Sequence, residues 1–78
     1  MNKEEFIAAW NDKNKGSGLS IIRFTGGAMF ANNMQIITVR RQTGEKIDEH
    51  YEVMLSKNVG GIVVGIGSIR LDKIRSVI

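Results

Sequence analysis

The chain of 78 residues contains no cysteine and no proline, one histidine and few aromatics: three Phe, one Trp and one Tyr. Without cysteine there is neither a disulfide nor a thiolate ligand. A single histidine leaves no His pair for a metal site. No stretch approaches the roughly 18 consecutive apolar residues of a membrane span. The opening MNKEEFIAAWNDKNK is acidic where a secretory leader would be basic, and it lacks an apolar run of leader length. The expectation is a soluble, cytoplasmic protein that needs no cofactor and no membrane.

What remains is one domain spanning 1–78. A chain this short buries only roughly 60% of the surface its unfolded form exposes, so its core is thin. Small domains offset this with disulfides, a metal or a partner subunit. The first two being excluded, a homo-oligomer is expected. The net charge of +3 and pI of 9.6 permit an anionic partner without requiring one.

Residues 2–15 read as a helix within an N-terminal segment 1–16. Asn2 is placed to cap it, and Glu5 stands at the capping-box position. Glu4 and Glu5 suit the positive end of the helix dipole. Phe6, Ala9, Trp10 and Lys13 share a face. With so few apolar positions the helix is a lid on something else. Gly16 is a natural stop, and GSG at 16–18 a hinge.

From residue 19 the pattern is that of strands. LSIIRF (19–24) is followed by the turn TGG, and AMFANN (28–33) ends at two asparagines that tolerate left-handed backbone. MQIITVRR (34–41) and KIDEHYEVML (46–55) flank a four-residue loop, QTGE. That loop places Met34 opposite Val53 and Ile36 opposite Tyr51 on one face. Gln35 opposite Glu52, Ile37 opposite His50 and Val39 opposite Asp48 take the other. A slip of one residue would mix the faces. SKNVGG (56–61) is a turn. IVVGIGSIRL (62–71) is a strand whose Gly65 and Gly67 mark a bend or bulge. LDKI (71–74) is one tight turn, and RSVI (75–78) a closing strand that can bury Val77 and Ile78.

A short helix, about five curled strands and a Leu-Asp-Lys-Ile turn before the last strand resemble the Sm-like and SH3-like small barrels. Ile69, Leu71, Asp72, Ile74, Ser76 and Ile78 carry the resemblance. It implies a mostly β (α+β) fold, an N-terminal helix packed on a small, strongly bent five-stranded barrel formed by 19–78, and a tendency to form rings. The acidic residue of the first Sm motif has no counterpart, GGAMFANN being the nearest stretch. The Arg-Gly pair of the second motif is also absent. No base-binding pocket is carried over.

Candidate chemistry is sparse. His50 could act as a base, but it reads as a solvated strand residue within the acidic run Asp48, Glu49, Glu52. No Ser or Cys lies in a nucleophile signature, so the chain is expected not to be an enzyme. Gly65-x-Gly67 precedes a strand and not a helix, which argues against a phosphate loop. Arg40, Arg41 and Lys46 flank one turn, and Arg70, Lys73 and Arg75 another. If these converge on one rim, they form a phosphate-binding surface for RNA or DNA. No aromatic platform for base stacking accompanies them. Trp10, Val77 and Ile78 are candidates for an oligomer interface. The reading is a non-enzymatic, oligomeric binding protein that contacts nucleic acid through a basic rim. The alternative is a protein-interaction or inhibitory module of phage or mobile-element type. A third reading is a small-nucleotide binder at a subunit interface, using the glycines and arginines of 60–75.

Overall fold

The computed structural model describes residues 1–13 and 18–78. It is mostly β, with one N-terminal helix, α1 (Lys3–Lys13), and six strands: β1 (Ser20–Phe24), β2 (Gly27–Ala31), β3 (Asn33–Thr43), β4 (Lys46–Val59), β5 (Ile62–Arg70) and β6 (Ile74–Val77). A single 3₁₀ turn, Leu71–Lys73, joins the last two strands where the tight turn is expected. The expected helix stop at Gly16 and most of the hinge lie outside the described residues. No described helix is long and apolar enough to cross a membrane.

The helix begins as its sequence dictates. The Glu5 amide donates to Asn2 Oδ1 at 2.8 Å, and the Asn2 amide donates to Glu5 Oε1 at 3.1 Å. This reciprocal box satisfies amides that the first turn leaves without helical partners. Phe6 and Trp10, one turn apart, are buried with ring centroids 6.2 Å apart. They cover a core of Ile22 from β1, Ala31 from β2, Val53 and Leu55 from β4, Ile69 from β5, Leu71 from the turn, and Ile74 and Val77 from β6.

Six strands form two antiparallel three-stranded sheets, ordered β2-β1-β6 and β3-β4-β5. The closed five-stranded barrel is not formed, because β5 and β6 are not paired with each other. Strand length is the physical reason. The second sheet has strands of 9 to 14 residues and the first has strands of 4 or 5, so the long hairpins run past the core. The molecule measures 45 × 25 × 21 Å as a result.

Asn32 separates β2 from β3 and makes the bend between the sheets. Among the described residues none other than glycine has positive φ, so Asn32 and Asn33 do not use the left-handed conformation that asparagine tolerates. The Asn32 side chain holds the bend instead. Its Nδ2 donates to the Asn58 carbonyl at 2.8 Å, and its Oδ1 accepts from the Asn58 amide at 2.7 Å.

The β3–β4 register differs from expectation by two residues. Met34 faces Leu55, Ile36 faces Val53, Ile37 faces Glu52 and Val39 faces His50. Thr43 pairs with Lys46, leaving a two-residue turn whose Gly44 has φ 62°. The shorter turn adds Gln42 and Thr43 to the ladder. A shift of two preserves which face each side chain takes, so the segregation of apolar and polar faces stands. At the other end β4 runs on to Val59 instead of stopping at Leu55. Gly60 and Gly61 turn it into β5 with φ 59° and 82°, the signs a type I′ turn requires. Gly65 and Gly67 flank a bulge at Ile66, opposite Leu55 and Ser56.

Candidate functional site

Three surfaces bear on function: the polar face of the second sheet, the outer face of the first, and the β4–β5 hairpin. On the polar face, β4 carries Asp48, His50 and Glu52 in alternation, so all three project on one side. His50 is not the solvated residue expected; its side chain is only 11% exposed. Its Nε2 lies 2.6 Å from Glu52 Oε2, and its Nδ1 lies 3.5 Å from Asp48 Oδ1. Nδ1 is buried without a hydrogen bond. Ser68 on β5 donates from Oγ to Glu52 Oε1 at 3.1 Å. The carboxylate stands between hydroxyl and imidazole. A nucleophile–base relay needs the imidazole in that middle position.

The His50 hydrogen bond holds Glu52 below its ordinary 4.5, against the opposing effect of partial desolvation and with help from Ser68. Arg70 donates two bonds to Asp72, from Nε at 3.3 Å and from Nη2 at 3.1 Å. That fork depresses the Asp72 carboxyl below 3.8 and raises the guanidinium in turn. Arg70 Nη1 also stands 3.7 Å from Asp48 Oδ2.

These contacts decide how the six expected cations are used. Arg41 faces Asp48 across the β3–β4 ladder, and Asp48 meets Arg70, so members of the two basic groups do approach each other. Carboxylates lie between them. Arg40 Nε is 4.0 Å from Glu49 Oε2. Lys46 sits opposite Thr43 at the turn. Arg40 and Arg70 thus stand within reach of carboxylates, and Arg41 lies opposite one in the ladder.

Lys73 lines a cleft with Arg70, Glu52 and Ser68, whereas Arg75 lies on β6 in the first sheet. Arg23 of β1 pairs in register with Ser76, next to Arg75, and the Thr25 amide donates to the Lys73 carbonyl. Arg23 and Arg75 are exposed and make no ion pair among the described residues. Lys73 feels the charge of Asp72. The sequence reading missed Arg23. Its one signal is position: a lone cation in an otherwise apolar strand, which must point away from the core when Ile22 points in.

Of the expected interface residues, Trp10 and Val77 are buried in the chain's own core. Ile78 is half exposed, and its backbone exchanges two hydrogen bonds with Ile21. The largest apolar exposure lies at the β4–β5 hairpin, where a turn over 56–61 and a strand over 62–71 are expected. Val59, Ile62, Val63 and Val64 are 64, 69, 60 and 53% exposed. Beside them a groove of about 590 Å³ runs over the sheet, lined by Met34, Met54, Val63 and Ile66 among others. The sequence does carry a signal for this surface. Residues 58–69 contain no charge, and three consecutive apolar residues, Ile62 to Val64, cannot all face one side of a strand.

Among the described residues no cluster of His, Asp and Glu suits a metal ion. No protein-family model, curated protein or solved structure matches the chain.

Proposed function

We propose that the protein is a self-associating interaction module. One observation carries this reading: a two-stranded hairpin with four aliphatic side chains more than half exposed, projecting beyond a thin core. Val59, Ile62 and Val64 share one face, and the largest apolar patch of a small protein often marks a contact site. Support for the Sm-like small-barrel reading comes from the order of helix, bent strands, 3₁₀ turn and final strand. Light scattering coupled to size exclusion tests the proposal. The expected mass is a multiple of 8.7 kDa at micromolar concentration. A single 8.7 kDa species throughout that range overturns it.

A second reading, contact with nucleic acid, is favoured by the exposed cations Arg23 and Arg75 of the first sheet and Lys73 of the adjoining turn. Arg23, Arg75 and, at the turn, Lys73 are its site, Arg70 being engaged with Asp48 and Asp72. Each phosphate contact adds to the salt dependence of binding. Replacing Arg23 and Arg75 by Ala should weaken binding to labelled single-stranded RNA or DNA and flatten its salt slope in fluorescence anisotropy. Absence of binding at low salt, where screening is weakest, removes this reading.

A further inference from the structure

We infer that the outer edge of β5 pairs with β5 of a second copy of this chain, antiparallel about a twofold axis, giving one six-stranded sheet. The inference rests on the self-association proposed above and assigns it a surface.

β5 ends the order β3-β4-β5, so among the described residues one of its edges carries no strand. Proteins protect such edges with charge, proline, shortness or twist. Residues 62–69 have no charge and no proline, and the strand is nine residues long. Its one irregularity is the bulge at Ile66. The other edges are guarded. β3 carries Arg40 and Arg41, β2 has only five residues, and β6 has four, one of them Arg75. The Ile74 carbonyl of β6 already accepts the Met1 amino group at 3.0 Å. β5 is thus the most open strand on the molecule, and its best complement among the chain's own edges is itself.

Self-pairing also sets the apolar side chains of β5 beside those of the second copy on each face of the sheet. Val59, Ile62 and Val64 share one face and leave on the order of 300 Å² of apolar surface uncovered, the size of a typical monomer's largest patch, while Val63 lies on the opposite face. Half-exposed Met54 and the groove along the same sheet adjoin it. A standard interface buries roughly 800 Å² on each partner, so the strand edge and both faces of the hairpin must contribute to it. A twofold places the same patch on both sides, as an isologous contact requires.

The absence of cysteine makes the test direct. Single cysteines at Ile62, Val63, Val64, Gly65 and Ser68, and at Ser76 of β6 as a control, each carry a spin label for double electron–electron resonance. In an antiparallel pair the distance between identical residues grows by about 7 Å for each residue away from the axis. A V-shaped profile with its minimum within β5 is expected, as is conversion of Val63→Lys to a folded 8.7 kDa monomer by circular dichroism and light scattering. An oligomer with a flat profile along β5, or with its shortest distance at Ser76, overturns the β5 pairing and leaves self-association standing. A wild-type monomer overturns both. The distance profile decides the matter even where Val63→Lys fails to fold.

Discussion

Ile22, Val53, Leu55 and Phe6 are the side chains this small fold depends on most, because each is almost completely sealed from solvent. Ile22 is the central example: it lies in the middle strand of the first sheet and meets Met29 and Val77 in register. Truncation to Ala removes buried methyl groups and leaves a cavity in a core with little capacity to refill it. The Ile22→Ala variant should lose about 2–5 kcal/mol, read as a lower urea midpoint. A single small core rarely supplies more than about 3–5 kcal/mol in all, so part of that variant should be unfolded without denaturant. At the neighbouring position Arg23 turns outward, and one residue's alternation separates the core from the cationic face.

Among the elements, β4 bears the greatest variety of tasks. It lends Val53 and Leu55 to the core, Asp48, His50 and Glu52 to the polar network, and Val59 to the apolar hairpin. The network makes stability depend on acid. Glu52 and Asp72 have folded-state values below their ordinary 4.5 and 3.8, so their contribution is complete above those values. It is lost as pH falls through them toward the depressed folded values. Thermal melts should therefore show a constant contribution from this pair above about pH 5 and a decline below, in the carboxylate range. Glu52→Gln should melt lower at neutral pH and lose part of the acid dependence. Equal acid sensitivity in the variant and the wild type would place the titrating group elsewhere.

For the molecule as a whole, the mismatch between the two sheets governs behaviour. The first sheet is as long as the core needs; the second is two to three times longer and carries apolar side chains away from it. Burying that excess needs a second molecule. If association stabilises the folded state, mass action makes the melting temperature depend on protein concentration. Raising the concentration from about 5 to 500 μM should raise Tm by several degrees in calorimetry, by the linkage that governs any ligand of the native state. Val63→Lys should remove that dependence. A concentration-independent Tm in the wild type would argue that the hairpin is solvated in the native protein.

The sequence by itself determined the local structure. Asn2 and Glu5 specify the helix start, alternation specifies the strands, Gly44 and Gly60-Gly61 specify the turns, and Leu71 to Lys73 specify the 3₁₀ turn. These signals act between residues a few positions apart, so they can be read along the chain. Only the tertiary structure decided the register of β3 on β4, because alternation has a period of two and cannot tell a shift of two from none. It also decided that the sheets stay open, that carboxylates occupy the space between Arg41 and Arg70, and that Arg23 stands beside Arg75. The exposure of the apolar residues at 59–64 is not legible along the chain, because a sequence records hydrophobicity, not depth. Whether they are covered depends on how far a neighbouring sheet extends, and the short strands of the first sheet end before it reaches them.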